Sequence, residues 1–446
     1  MILTAALFFL PGRASADVAG RGGLSIIRDT EIENTIRVYM APVFRVAGID
    51  SSQVHIYLVN DPQINAFVAG GMNIFINTGL LQAADNPSQV IGVLAHETGH
   101  IVGGHLARIR EGMRAATTEA IIASVLGGAA AAAAGHPEGI GAALLSGQEV
   151  GQRSILAYTR GMEQSADQAA IKFLNEAHES ARGLLQFMKK LQAQEKIYGG
   201  EANPFLRSHP LTIDRIRFVE NAVEHSRYSN VPTPPNLIAA HARMHGKLNG
   251  FLDPPAETLQ QYKPDDPSME AKYARSIAYM KLSETDKALA IIDPVIKQSP
   301  KDPFLHELRG DILKDAGRNR EAMESYKAAV KILPWAALIR ISLAQTEIEQ
   351  NDNSLLPDAI VNLKEAVRYE SQIPFAWRQL AIAYGRLDKH GLASHALAEE
   401  AILNGDYNSA NRLAQRAMKV LPEGTPEWLR SQDIEFEAKR MRKQRG

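Results

Sequence analysis

The sequence predicts a mainly helical α+β protein, with helices around a small β-sheet first and an α-helical repeat solenoid after it. Three observations carry this: strand-like runs cluster between residues 54 and 77, a sharply capped helix follows them, and a period of 34 sets in beyond residue 268. At 446 residues the chain exceeds one hydrophobic core, so at least two domains are expected. Lys plus Arg number 49 against 50 Asp plus Glu, a balance with no overall attraction to nucleic acid. There is no cysteine, which excludes disulfides and thiolate ligands and leaves His, Asp and Glu to bind any metal.

From the start, Ile2 to Leu10 are apolar and Ala14-Ser15-Ala16 has the small-x-small pattern of a signal peptidase site. Residues 1–16 are therefore expected to be a signal peptide, with export of the chain from Asp17 onward; the run is too short to span a bilayer. Residues 24–48 read as one helix, on the spacing of Ile26, Ile27, Ile32, Ile36 and Val43. Residues 54–59 and 72–77 are β-rich, and between them Asn65-Ala66-Phe67-Val68-Ala69 ends at Gly70-Gly71; a small antiparallel sheet is expected. Asn86 caps the next helix, Pro87 suits its first position, and Gln89 completes a capping-box-like arrangement.

An alanine-rich, uncharged run begins at Ala120. Residues 120–147 are expected to pack within the first domain, with peripheral membrane contact as the competing reading. The first domain is placed at 17–228, and the prolines of 229–268 mark a linker holding one helix. In the repeats, Gly310, Ala322, Tyr326, Ala329 and Pro334 match Ser276, Ala288, Ile292, Val295 and Pro300, which is the tetratricopeptide pattern. A third copy (Ala359, Leu363, Ala366) follows a three-residue insertion, and a fourth carries Trp377, Leu380, Ala381, Tyr384 and Ala393. Ala410, Ala414, Ala417 and Pro422 resume half a period later, so the helix near 390–403 is expected to serve two units. The array is bounded at 269–430, with a charged tail at 431–446.

Chemistry concentrates in His96-Glu97-Thr98-Gly99-His100. Two imidazoles four residues apart share a helical face and can bind one metal, with Glu97 beside the water such a metal would hold. A catalytic zinc needs a third protein ligand. A histidine six residues after His100 would supply it, but Leu106 stands there and His105 comes one place early, which points His105 elsewhere as a hydrogen-bonding histidine. The rival third ligand is Glu163, four residues before Asp167 on one helical face. Asp167 then suits a hydrogen bond to a ligand histidine's free N–H, while a solvated acidic face is the plain alternative for both residues. His209, held before Pro210, either stabilises a developing oxyanion, occupies the metal's open position, or only starts the following helix.

These residues resemble the zinc metallopeptidase family that includes HtpX and the CaaX prenyl protease. The resemblance rests on Asn65-Ala66-Phe67 ending in Gly70-Gly71, His96-Glu97-x-x-His100, Glu163-x-x-x-Asp167, and His209-Pro210 with Arg215-Ile216 downstream. The leader and the tetratricopeptide tail are most similar to its periplasmic BepA-like branch. The resemblance implies a gluzincin-type fold and one zinc ion per chain on His96, His100 and Glu163. It further implies Glu97 as base, Asp167 hydrogen-bonded behind a ligand, and His209 and Arg215 as active-site residues. An extended protein substrate is expected along Asn65 to Gly71, where the two glycines allow close backbone approach. The implied role is outer-membrane protein assembly or quality control in the periplasm, with envelope assembly proteins bound by the repeats. The competing reading is a chaperone-like binding module with little proteolysis.

Overall fold

A computed structural model describes residues 24–105, 108, 159–198 and 204–445; the leader-like residues 1–16 and the alanine-rich 120–147 lie outside them. The chain divides into two compact units, Glu33–His241 and Met1–Ile32 with Ala242–Gly446. No described helix is long and apolar enough to cross a membrane.

Residues 24–48 are not one helix. Ile26–Ile27 form a two-residue strand, β1, and helix α1 runs from Thr30 to Val46. Its start is set by Asp29, whose Oδ1 accepts the Ile32 N–H at 2.9 Å, the N-terminal capping bond that periodicity alone does not locate.

In the unit 33–241, strands β2 (His55–Val59), β4 (Asn73–Asn77) and β3 (Ala66–Ala69) lie side by side in that order. The expected all-antiparallel sheet is corrected to a mixed one, because β4 pairs antiparallel with β3 but parallel with β2. The register explains it. Ile56 pairs with Ile74 and Leu58 with Ile76, so both strands bury their alternating aliphatic face together with Ala66 and Val68. On the opposite face Phe75 stacks between Tyr57 and Phe67, at ring separations of 4.9 and 5.0 Å. Gly70 and Gly71 have φ of +59° and +100°, so the β3–β4 turn itself calls for both glycines.

Helices α2 (Thr78–Ala83) and α3 (Pro87–Val102) follow. At the start of α3 the Asn86 side chain accepts the Gln89 N–H at 3.2 Å, while Gln89 Oε1 accepts the Asp85 N–H at 3.0 Å. Helix α4 (159–176) and α5 (Arg182–Tyr198) come next. α3 meets α5 almost backbone to backbone: a Cβ on Gly183 would lie 2.0 Å from the Ser88 carbonyl oxygen, and one on Gly92 2.6 Å from the Leu184 nitrogen. Short α6 (Pro204–Ser208), α7 (Ile213–His225), α8 (Pro235–Leu252) and α9 (Pro255–Gln261) complete the series before the repeats, so the stretch expected to hold one helix holds two.

In the other unit, the first helices of successive repeats begin at Met269, Pro303 and Ala337, 34 residues apart. The three-residue insertion falls between the two helices of the third repeat, where a 3-10 turn at Asn353–Leu355 precedes the helix Leu356–Tyr369. Small residues let each pair close. Ala288, Ala322 and Ala359 are fully buried, and a Cβ on Gly310 would lie 2.6 Å from the Tyr326 ring. The helix His390–Leu403 packs against both Pro374–Arg386 and Tyr407–Val420, serving two units as the sequence predicts. Asp29 and Glu31 face this unit's cations: Lys247 Nζ lies 2.7 Å from Asp29 Oδ2, and Arg243 Nη2 2.6 Å from Glu31 Oε1.

The α3–α5 crossing leaves no room for a methyl group. Gly183→Ala is expected to destabilise the protein by about 1–3 kcal/mol, read as a lower unfolding midpoint; an unchanged midpoint rejects this packing account.

Candidate metal centre

Helix α3 holds His96, Glu97 and His100 on its inner side, and α4 holds Glu163 and Asp167 one turn apart. Gly99 brings the two helices together: a Cβ there would lie 2.8 Å from the Ala166 carbonyl oxygen. Nε2 of His96 lies 3.1 Å from Nε2 of His100 and 3.3 Å from Glu163 Oε2, and His100 Nε2 lies 3.3 Å from Glu163 Oε1. His209, just beyond α6, brings Nδ1 to 3.1 Å from Glu163 Oε1 and 3.4 Å from His96 Nε2, with its ring stacked on Phe205. Among the described residues these four, His96, His100, Glu163 and His209, are the one group of metal-capable donors found, within 4.8 Å of one another.

The spacing fits zinc. Bonds of about 2.0–2.1 Å in a tetrahedron set ligand atoms about 3.3 Å apart, near the separations found here. Nitrogen lone pairs and carboxylate oxygens held this closely in a buried site repel unless a proton or a cation lies between them. Glu97 Oε1 and His209 Nε2, both buried, have no hydrogen-bond partner among the described residues; they face each other at 3.4 Å.

Residues 27–223 match Peptidase family M48. The chain carries an M48 peptidase domain. It is 25% identical over 412 residues to the beta-barrel assembly-enhancing protease of Escherichia coli K12, covering 91% of this chain and 82% of that one. Identity to the protein of that name from Yersinia pestis is 29% over 317 residues, 69% of this chain and 60% of that one. The mitochondrial metalloendopeptidase OMA1 of Schizosaccharomyces pombe is 28% identical over 182 residues, 40% of this chain and 49% of its own. M48 peptidases are zinc-dependent, and the chain is accordingly a zinc metallopeptidase.

Around the M48 centre, Asp167 Oδ1 lies 2.8 Å from His96 Nδ1, on the side of the ring away from the cluster. Arg215, on α7, clamps both α4 carboxylates. Its Nε and Nη2 donate to Asp167 at 2.6 and 2.9 Å, and its Nη1 lies 2.9 Å from Glu163 Oε2 and donates at 2.9 Å to the Pro210 carbonyl. The Thr212 side chain caps α7 by accepting the Arg215 N–H, which aims this side chain inward. His105 is outside the donor cluster and hydrogen-bonded, as its spacing predicts, but its partner is one of the cluster's own rings. It is buried, and its Nδ1 lies 2.9 Å from Nδ1 of His100, behind that ring. The signal in the sequence is Gly103-Gly104, a helix-ending pair that lets the chain turn back. The β3 segment from Asn65 to Gly71 holds no member of the donor cluster, but β3 packs against α3 and forms the edge of the described sheet.

The electrostatics follow from burial and this network. Burial would raise the Glu163 carboxyl, but hydrogen bonds with His100, His209 and His96 outweigh it and hold the group far below the usual carboxylate range. Burial would lower His96, but Asp167 and Glu163 hold it up at about 10, whereas burial and the neighbouring His96 charge pull His100 down to about 4 despite Glu163. Glu97 is pushed up, first by burial and against the opposing charges of His209 and His96. A carboxyl displaced toward neutrality suits proton exchange better than an ordinary surface glutamate does.

Because Asp167 is completely buried, removing its guanidinium partner leaves that carboxylate with the His96 ring as its remaining support. Arg215→Met should cost about 3–5 kcal/mol in unfolding free energy; a loss under 1 kcal/mol would mean that the clamp is not what holds α4 and α7 together.

Proposed function

We propose that this protein is an exported zinc endopeptidase acting on protein substrates during outer-membrane protein assembly or quality control in the periplasm. The observation that carries the reading is the convergence of His96, His100 and Glu163 donor atoms at 3.1–3.3 Å with Glu97 beside them. The envelope role is supported by similarity to beta-barrel assembly-enhancing proteases, and export by the apolar run Ile2 to Leu10 with Ala14-Ser15-Ala16 after it. The repeat unit offers helical surfaces for envelope assembly partners.

In this reading His96, His100 and Glu163 hold the zinc ion, which when bound supplies Lewis acidity to the scissile carbonyl and to water. Glu97 takes a proton from the attacking water and later delivers it to the departing amine nitrogen, a role suited to its raised pKa. Asp167 keeps the His96 ring oriented, and Arg215 positions Asp167 and Glu163 rather than touching substrate. The substrate runs extended along β3, whose outer edge accepts backbone hydrogen bonds, with Asn65, Ala66, Phe67, Val68 and Ala69 as its track up to Gly70 and Gly71. His209 stands within the donor cluster itself, which favours the resting role: with zinc bound it would complete the donor set and would have to withdraw to admit a substrate carbonyl.

Elemental analysis and peptide cleavage test this together. Wild type and Glu97→Gln should each carry about one zinc and Glu163→Ala little, while Glu97→Gln loses cleavage by roughly 100-fold or more. An active Glu97→Gln enzyme would falsify the mechanism. His209→Ala should raise peptide cleavage at unchanged zinc content; a fall instead would assign His209 to the oxyanion.

A further inference from the structure

His96 and His100 are alike in sequence but not in what stands behind them. The far nitrogen of His96 meets a carboxylate, Asp167, which the Arg215 clamp holds in turn. The far nitrogen of His100 meets another imidazole: Nδ1 of His105 at 2.9 Å, with the two rings nearly perpendicular at 80°. This contact depends on the way α3 ends. Gly104 takes φ of +60°, and Gly103 lies so close that a Cβ on it would sit 2.3 Å from His105 Nε2 and 2.7 Å from two of its ring carbons. The two glycines thus fold His105 under the last turn of the helix, where it is 2% exposed.

We propose that His105 is a positioning residue for the metal centre, holding the His100 ring in place and fixing which of its nitrogens carries the proton. The inference rests on the assignment of His100 Nε2 as a ligand atom. That atom must present a lone pair, so the His100 proton lies on Nδ1. Nδ1–H then donates to His105 Nδ1, whose own proton lies on Nε2. One neutral imidazole takes the place that a carboxylate or backbone carbonyl usually holds behind a metal-bound histidine. The two ligand histidines are therefore supported unequally: His96 by a charged acceptor and His100 by an uncharged one.

Zinc affinity, measured by competition with a chromophoric chelator and paired with thermal unfolding of the metal-free protein, tests this. His105→Leu fills the space without an acceptor and should weaken zinc binding roughly 10- to 100-fold. His105→Asn sets Oδ1 where Nδ1 stood and should remain close to wild type. Gly103→Ala leaves His105 in the sequence but displaces its ring, and should weaken binding as His105→Leu does; this comparison decides the matter if His105→Leu does not fold. Zinc bound by His105→Leu as tightly as by wild type overturns the inference. So does a His105→Asn protein as weak as His105→Leu, or affinity losses that merely follow metal-free stability. Wild type without zinc would instead bring down the ligand assignment, and this inference with it.

Discussion

The structure turns on donor atoms crowded into a largely buried place. Three imidazoles and three carboxylates, those of Glu97, Glu163 and Asp167, gather around one guanidinium, and the nearest donor atoms stand 3.1 Å apart. Such a group is costly to bury and has no preference of its own for this arrangement. Its geometry must be imposed by the scaffold. Gly99 lets α3 touch α4, Gly92 and Gly183 let α3 touch α5, and Arg215 ties α4 to the start of α7. Each is a device for close approach, and each would be inexplicable if the helices only had to bury apolar surface.

Support is graded across the centre. Residues on α3 and α4 are held by helix interiors that pack on two sides. His209 follows a five-residue helix, and apart from the donor cluster and Glu97 its ring meets the flat face of Phe205. The residue with the weakest framework is thus His209, while the strongest clamp, the guanidinium with two carboxylates, joins α4 to α7.

Much of this was legible in the sequence because it is periodic. His96 and His100 share a face through the four-residue spacing, as do Glu163 and Asp167, and the repeat helices recur at the interval that Gly310, Ala322 and Tyr326 announce. The capped start of α3 was equally plain at Asn86-Pro87. What escaped depends on long-range choices. Residues 54–77 have the same strand character whether β4 pairs with β2 in parallel or antiparallel fashion, and only the folded sheet shows β4 between the other two and parallel to β2. Ile26 and Ile27 continue a helical apolar pattern, yet Asp29 starts the helix after them. His105 lies off the ligand face by helical geometry and returns only because the helix stops, which is a property of Gly104 rather than of the histidine.

The ties made by residues 28–31 reach far along the chain. Arg28 pairs with Glu370, 342 residues away, and Glu31 bonds to Lys247 and Tyr273 at separations of 216 and 242. During synthesis these partners emerge long after residues 28–31. The discontinuous unit cannot close its ionic network until the ribosome has passed residue 370. The partners of Asp29 and Glu31 come sooner, at Arg243, Lys247 and Tyr273, and that of Arg28 comes last. Closing the repeat unit is thus a late step, because the ion pairs of residues 28–31 wait for partners made much later.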